Sequence, residues 1–404
     1  MSAQRCPDRV TDPPPPAAPA RPGRVTGVDV ARGLALFGMM AVHVWDAIED
    51  GAPTTSTVLA GGRSAATFAV VAGVSIAFLS GGRHRLQGRA RTAAAVGIAV
   101  RALAIGLIGL LLGSIGTGIE VILPAYAVLF LLAIPLLGLS PAVLGLLAAA
   151  LAAVGPVLLV TTVDSDLPHL HATNPTLVSL GTEPLGLLGA LFLTGPYPVV
   201  VYLAYVCAGL AVGRLDLTSR RVAAWLLGGG VVLAVGAKTV SDVLLYPLGG
   251  LDRLTATTGE EATALLWEPE QDSSWWYLAL SGPHAHTTLD VMHATGSALA
   301  VLGAALLLTR VHAVDRLLRP LQAAGAMTLT LYSAHILVIA VGVFDDSEVA
   351  QYLFLLVGSL VFASLWRRRR AQGPLEALVG RAAGRARRAV LGKPASPAGA
   401  VHRG

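Results

Sequence analysis

Charge is what this chain has least of. Asp, Glu, Lys and Arg make up 13% of its 404 residues, where an ordinary soluble domain carries about 25%. That scarcity excludes a water-facing surface over most of the protein. Cysteine is nearly missing as well. Cys6 lies in a proline-rich tail and Cys207 in an apolar run, which excludes a disulfide framework and a cysteine-built zinc site. The first 24 residues, with Pro13 to Pro16 in a row, hold no apolar core. They read as a disordered cytoplasmic tail ahead of an uncleaved first span, not as a secretory signal. No internal repeat relates the two halves of the chain.

What remains is 54% hydrophobic and falls into apolar stretches. Spans are expected at 28–48, 62–80, 92–113, 119–139, 141–162, 196–213, 222–245, 287–309, 321–342 and 349–366. The fold expected is an all-α, polytopic transmembrane helix bundle of about ten spans. The loops between them alternate in charge. The N-terminal tail, the loops at Arg83–Arg91, Arg214–Arg221 and Arg310–Arg319, and the tail from Arg367 hold 24 of the 29 Lys and Arg residues. The opposite loops are neutral or acidic, with six acids between Asp252 and Asp272. The positive-inside rule then puts both termini in the cytoplasm of a plasma-membrane protein. The net charge of +5 follows from this topology and does not mark a nucleic-acid partner. Residues 177–195 are long enough to span but carry Glu183 and Pro184 and would invert every later loop. They are expected as a re-entrant or interfacial element on the outer face, or as an eleventh inserted segment. The outer loop around Trp267, Trp275, Trp276 and Tyr277 offers either interfacial anchors or an access route. Three divisions result: the tail 1–24, a membrane domain 25–370, and a basic cytoplasmic tail 371–404 whose PLEALVGRAAGRARRAVLG stretch reads as a surface helix on anionic lipid.

The first span, RVTGVDVARGLALFGMMAVHVWD, carries Asp29, Arg32, His43 and Asp46, and ionisable groups in a bilayer are costly unless paired or facing a cavity. The step from Arg32 to His43 closes to within about 20° of whole helical turns, so both lie on one face roughly 16 Å apart. Each has an acid three residues away. Arg32 either snorkels to lipid phosphate or holds an anionic group from the cytoplasm. His43 either packs or, oriented by Asp46, acts as a base toward the outside.

The string Asp29-x-x-Arg32-Gly33 followed by His43 resembles the first helix of the acyltransferase family 3 membrane enzymes, which have an Arg and a His at this separation. RVTGVDVARGLALFGMMAVH followed by GGRSAATFAVVAGVSIAF is more similar to bacterial relatives of heparan-α-glucosaminide N-acetyltransferase, although the lysosomal pattern does not keep a His at the position of His43. TGPYPVVVYLAYVCAGLAVGRLDL, SGPHAHTTLDVMHATGSALAVLG, GAMTLTLYSAHIL and GPLEALVGR resemble the same group and the YeiB-type proteins. Where those relatives have a PHSGTP-like string this chain reads PHAHTT, which sets His286 apart. The resemblance implies transfer of an acyl group, most simply acetyl, from cytoplasmic acyl-CoA (a co-substrate, with no tightly bound cofactor) to a sugar-containing envelope glycan or glycolipid. Membrane lipids are the other partners.

Such a transfer needs a cationic site, a base and oxyanion donors. The expected roles are His43 and Asp46 in catalysis, and Arg32, Asp29 and Arg101 at the acyl-CoA. Arg63, His284, His286, Asp290, Tyr332 and His335 are expected around the acceptor. His286, Asp290 and His293 share a helix face but lack a recognised zinc spacing, so no metal is expected. Lys238 and Asp242 should pair with each other. The alternative reading is a transporter or lipid flippase using the same polar stripe, although such proteins often carry repeats that are not evident here.

Overall fold

The computed structural model describes residues 24–392. Cys6, His402, the end of the C-terminal tail and all but the last residue of the proline-rich tail lie outside the described residues. Helix α1 (Thr26–Val42) ends six residues earlier than the expected span. The reason is local: Asp50 and Gly51, at φ +50° and +75°, form the two-residue turn of a hairpin between β1 (Ile48–Glu49) and β2 (Ala52–Pro53). Asp-Gly suits that turn because both central residues need positive φ. Then come α2 (Thr55–Ala60), α3 (Arg63–Leu79), α4 (Gly88–Gly113), α5 (Leu123–Leu136) and α6 (Pro141–Thr162). The stretch 177–195 follows as α7 (Leu177–Thr182) and α8 (Pro184–Gly189), which runs into a π-helical turn at Ala190–Thr194. The second half holds α9 (Val199–Gly213), α10 (Arg220–Leu245), α11 (Gly250–Thr258), α12 (Ala262–Trp267) and a 3₁₀ turn at Trp275–Ala279. It closes with α13 (Thr288–Leu308), α14 (His312–Leu317), α15 (Arg319–Gly325), α16 (Thr328–Ala340), α17 (Glu348–Arg367) and α18 (Pro374–Leu391).

Each apolar stretch of the sequence contains a helix, in an all-α membrane bundle. Among the described residues six helices are long and apolar enough to cross a bilayer, α2 and α3 counting as one. Two bent pairs, α8–α9 at 56° and α15–α16 at 84°, raise the number to eight. α1 and α5, with 17 and 14 residues, reach only about 26 and 21 Å at 1.5 Å per residue, short of a hydrocarbon core of about 30 Å. The expected continuous span 321–342 is thus two helices at nearly a right angle, and 177–195 is interrupted at Glu183. There the hydrogen bond from His171, 2.6 Å away, holds the exposed Glu183 carboxyl below its ordinary range.

α3 is the hub. Val70, Val71, Val74, Ile76 and Ala77 on it are fully buried, and α1, α9 and α13 pack around it. Between α3 and α9 the backbones nearly touch: a Cβ on Gly209 would stand 1.9 Å from the Val70 carbonyl oxygen. Without water to squeeze out, membrane helices gain cohesion from such close approach. Irregular backbone at this depth must find partners. Residues 114–122 are non-helical, and buried Asn174 serves them. Its side chain accepts from Val121 N at 2.7 Å and donates to Ile119 O at 2.8 Å. The C-terminal segment also departs from expectation. α18 does not lie apart on the lipid surface; it buries Val379 and Ala383 along α4, where Gly97 approaches the Ala383 carbonyl.

Arg214 locks together the adjoining ends of α3, α5 and α9. It is 5% exposed and donates to the carbonyls of Gly82 and Leu137 at 2.9 Å each, to Ala77 O at 3.2 Å and to Ser80 Oγ at 2.9 Å. Arg214→Met keeps the bulk and orphans those acceptors. Since an unsatisfied buried group costs about 1–3 kcal/mol, the variant should melt clearly below wild type in detergent. Arg220→Met, at the exposed start of α10, should not; equal melting of the two would refute the role given to Arg214.

Candidate functional site

α1 brings its charges into a knot. Arg32 Nη1 donates to Asp29 Oδ1 at 3.1 Å and to the Gly325 carbonyl at 2.9 Å, and Nη2 donates to Ser75 Oγ at 2.7 Å. Arg24 holds the other Asp29 oxygen at 2.5 Å. The i,i+3 pairing of Asp29 with Arg32 expected from the sequence is present, but Arg32 is not a free snorkelling cation. It ties α1 to α3 and to the end of α15. Gly325 makes this possible, because a Cβ there would sit 1.8 Å from the Asp29 carbonyl oxygen. Three of the five guanidinium N–H groups are engaged, which leaves two for a ligand.

Arg32 lines an inner cavity of about 220 Å³ between α1, α3, α4, α5, α16 and α18. Arg32 and Arg101, separated by most of the first three helices in sequence, both line it. Arg101 has no hydrogen-bond or ion-pair partner among the described residues, so it is the readier of the two to take an anion. Opposite stands Glu376 of α18, whose carboxylate accepts from Thr330 N at 3.0 Å and Thr330 Oγ1 at 2.6 Å. The far wall is Tyr126 and Tyr332. The Tyr332 hydroxyl is buried and makes no hydrogen bond among the described residues.

Tyr332 also packs against a pair of histidines. His43 lies against it, with ring centroids 6.5 Å apart, and stacks on His335 at 5.2 Å. His43 Nδ1 and His335 Nε2 are 2.9 Å apart. Beyond His43 opens an outer cavity of about 610 Å³ lined by Asp46, Glu120, Tyr197, Trp267 and His284 among others. His43 lines the outer cavity and Tyr332 the inner one, so the rings of these two, with His335 packed against both, stand between the two spaces. Arg32 and His43 both point to the α15–α16 side of α1, as their spacing predicts.

Other expected partners fall elsewhere. Asp46 does not orient His43: α1 ends at Val42, so the i,i+3 relation lapses, Asp46 is exposed, and the imidazole meets His335 instead. Arg63 donates to His293 Nε2 at 3.0 Å and to Val58 O at 2.5 Å, which ties α2 and α3 to α13 and lines neither cavity. Asp290 accepts from His286 N at 2.9 Å, and His286 Nε2 meets Pro196 O at 3.1 Å. Both brace the turn that carries His284. The strain of that turn is visible, His284 and His286 standing at φ +57° and +54°, a costly region for non-glycine residues. Only His284 of the group reaches the cavity. Among the described residues no cluster of His, Cys, Asp or Glu could hold a metal ion. Lys238 and Asp242 do pair.

Sequence reasoning missed Ser75, Tyr126, Glu120, Tyr197 and Glu376. A serine and tyrosines in apolar spans carry little signal alone. Glu376 had one, as the sole acid in an otherwise basic stretch from Arg367 to Arg388.

A helical bundle with apolar outer faces, enclosing a polar cluster between two cavities, defines a polytopic membrane protein. A family model described as heparan-alpha-glucosaminide N-acetyltransferase, catalytic, matches residues 24–235, more than half of the chain, and the protein belongs to that family of membrane acetyltransferase-like proteins. A second model, for a protein family of unknown function (DUF418), matches residues 261–385. The first match covers Arg32, His43 and Arg101; the second covers Tyr332, His335 and Glu376. No curated protein matches the chain.

The knot predicts an order of stabilities. Arg32→Lys loses the planar fork, and Asp29→Asn leaves two guanidinium groups without their counter-charge, a change that costs about 3–5 kcal/mol at buried pairs. Thermal melting should fall in both, more in Asp29→Asn, while Arg101→Gln melts like wild type. A destabilised Arg101→Gln beside an unaffected Arg32→Lys would reverse the two roles.

Proposed function

We propose that the protein moves an acyl group, acetyl in the simplest case, from cytoplasmic acyl-CoA to a sugar-containing acceptor at the outer face of the plasma membrane. The observation that carries this reading is the contact of His43, which lines the outer cavity, with Tyr332, which lines the inner one, and with His335 beside both. The topology it requires is ten spans with both termini cytoplasmic, α1 and α5 included despite their length. The inner cavity, at about 220 Å³, is below the roughly 300–1,000 Å³ of pockets that engulf a drug-sized ligand. It suits a slender thioester-bearing arm and leaves the nucleotide end outside, at the cytoplasmic surface. Arg101, with help from Arg32, supplies the positive charge for the donor.

The chemistry follows from the cluster. In the working tautomer His43 Nδ1–H donates to His335 Nε2, which leaves the lone pair of His43 Nε2 free toward the acceptor. An acceptor hydroxyl or amine arrives through the outer cavity and attacks the thioester carbonyl, and His43 takes its proton. The unpaired Tyr332 hydroxyl donates to the developing oxyanion. Collapse breaks the C–S bond, and His43 returns the proton to the departing thiolate, so the products are the acylated acceptor and free CoA thiol. The competing reading is a transporter, in which the three side chains act as a gate.

Incubation of purified protein with radiolabelled acetyl-CoA, with and without envelope extract, separates the two: label should move to an envelope component, and its failure to move would favour transport. A positioned base is worth about 10²–10⁴ in rate. His43→Ala should lose that much in kcat, His335→Asn somewhat less, and Asp46→Asn almost nothing. Arg101→Gln should instead raise KM for acyl-CoA about tenfold or more, as expected for losing a charge-assisted hydrogen bond of about 1.5–3 kcal/mol. A near-normal kcat in His43→Ala ends its assignment as base. For topology, cysteines introduced at Leu215 and Glu260 should label from the inside and the outside respectively; labelling of both from one side removes the ten-span arrangement.

A further inference from the structure

Arginines gather in a third space that the chemistry above leaves unused. It is a cavity of about 570 Å³ between the start of α1, the α14–α15 junction and the end of α17. Arg24, Arg316, Arg319, Arg367 and Arg368 line it, and among the described residues Asp29 is the one carboxylate that does. Three stretches far apart in sequence deliver these arginines, so the fold is what brings them together. Asp29 cannot balance them. One of its oxygens accepts from Arg24 and the other from Arg32. The guanidinium groups of Arg316, Arg319, Arg367 and Arg368 have no hydrogen-bond or ion-pair partner among the described residues. Asp315 stands nearby without lining the cavity, and it accepts from Gln322 Nε2 at 2.9 Å and from Thr26 Oγ1 at 3.4 Å. Like charges held this close repel one another unless a counter-charge sits among them.

The lining identifies the counter-charge. The volume lies within the roughly 300–1,000 Å³ of small-molecule sites, and the hydroxyls of Thr26 and Ser364 add neutral donors. Among the described residues no aromatic ring lines the cavity, so a nucleobase finds no ring to stack on. Pro320 and Ala323 are its apolar members, too little surface to bed an acyl chain. Guanidinium forks match phosphate oxygens in charge and geometry. Five positive charges against one negative leave an excess of four, and a phosphate monoester carries about −1.5 to −2 at neutral pH. Two such groups close the balance. We propose that this cavity binds a ligand bearing two phosphate groups, either a free bisphosphate or the headgroup of a phospholipid that carries two. Basic pockets between membrane helices hold headgroups of that kind. The cavity shares no lining residue with the inner one, since Asp29 lines this space and Arg32 the other; it is therefore separate from the place assigned to the acyl donor. No residue of α18 lines it either, so it is not the lipid contact expected of the basic tail. A bound ligand would hold α1, α15 and α17 together beside the Asp29 knot, and occupancy should register as stability.

Thermal melting of the full chain in an uncharged detergent reads that occupancy, because a ligand of the folded state raises the melting point by mass action. The probes are inorganic pyrophosphate and inorganic phosphate, titrated while sodium chloride holds the ionic strength constant. Pyrophosphate should raise melting saturably, at a concentration about tenfold or more below that needed for phosphate. Arg316 and Arg319 are exposed, so Arg316→Gln with Arg319→Gln should melt no lower than wild type in the absence of ligand. The same double variant should raise the half-saturating pyrophosphate concentration about tenfold or more. Two controls should respond as wild type does: Arg385→Gln with Arg388→Gln, which removes the same charge from α18, and Arg101→Gln, which takes the free cation from the inner cavity. Repeating the titration in phosphatidylcholine nanodiscs with and without cardiolipin separates the two sources. A pyrophosphate response abolished by cardiolipin assigns the site to the headgroup, and one that persists assigns it to the free bisphosphate; either result sustains the proposal. It is overturned if pyrophosphate gives no saturable shift and cardiolipin raises melting no further than phosphatidylcholine alone. A wild-type response in the Arg316 and Arg319 double variant overturns it equally, as does a matching loss in either control.

Discussion

A guanidinium in a low-dielectric interior must be answered by nearby acceptors, and the position of Arg32 organises this protein around that requirement. Its charge is met by Asp29 on the same helix, by a hydroxyl on α3 and by a carbonyl at the end of α15. Three elements from distant parts of the chain are fixed at one point, and the fix sets where α16 begins. Because α16 begins there, Tyr332 and His335 arrive beside His43. The distance from the charged knot to the histidine pair is then set by the rigid turns of α1, and the two cavities have a common wall instead of merging into a pore.

Much of this was legible in the residues. The helical class, the shared face of Arg32 and His43 and the Asp29–Arg32 pair follow from spacing and hydropathy, which act through local geometry, and Arg101 was singled out by its depth in an apolar span. What was not legible depends on breaks and on partners far apart in sequence. Asp46 was expected to serve His43 because the helix was taken to continue, yet an Asp-Gly turn ends it. Residues 321–342 look like one apolar run, and no proline marks the right-angle break between α15 and α16; the close approach of Gly325 to α1 decides it. His286 and Asp290 looked like site residues by type, and the structure uses them to hold a strained turn.

The two families whose models match the chain divide the site between them. The region of the acetyltransferase family supplies the histidine and both arginines, while the region of unknown function supplies the tyrosine, the second histidine and the glutamate that closes the inner cavity. Neither stretch builds the histidine pair alone, since His43 and His335 come from opposite sides of that division and touch only in the folded bundle.

The seating of Glu376 has a practical consequence. Its carboxylate caps the first turn of α16 through Thr330, at the end of a helix whose exposed amides favour negative charge. The last helix among the described residues is therefore an internal plug, occupying with its own acid a place that α16 would otherwise offer to solvent anions. A chain cut back to residue 372 would lose no membrane helix and would still leave that helix end open to water. Purification tags and fusion partners belong after Gly392, where they leave the plug in place.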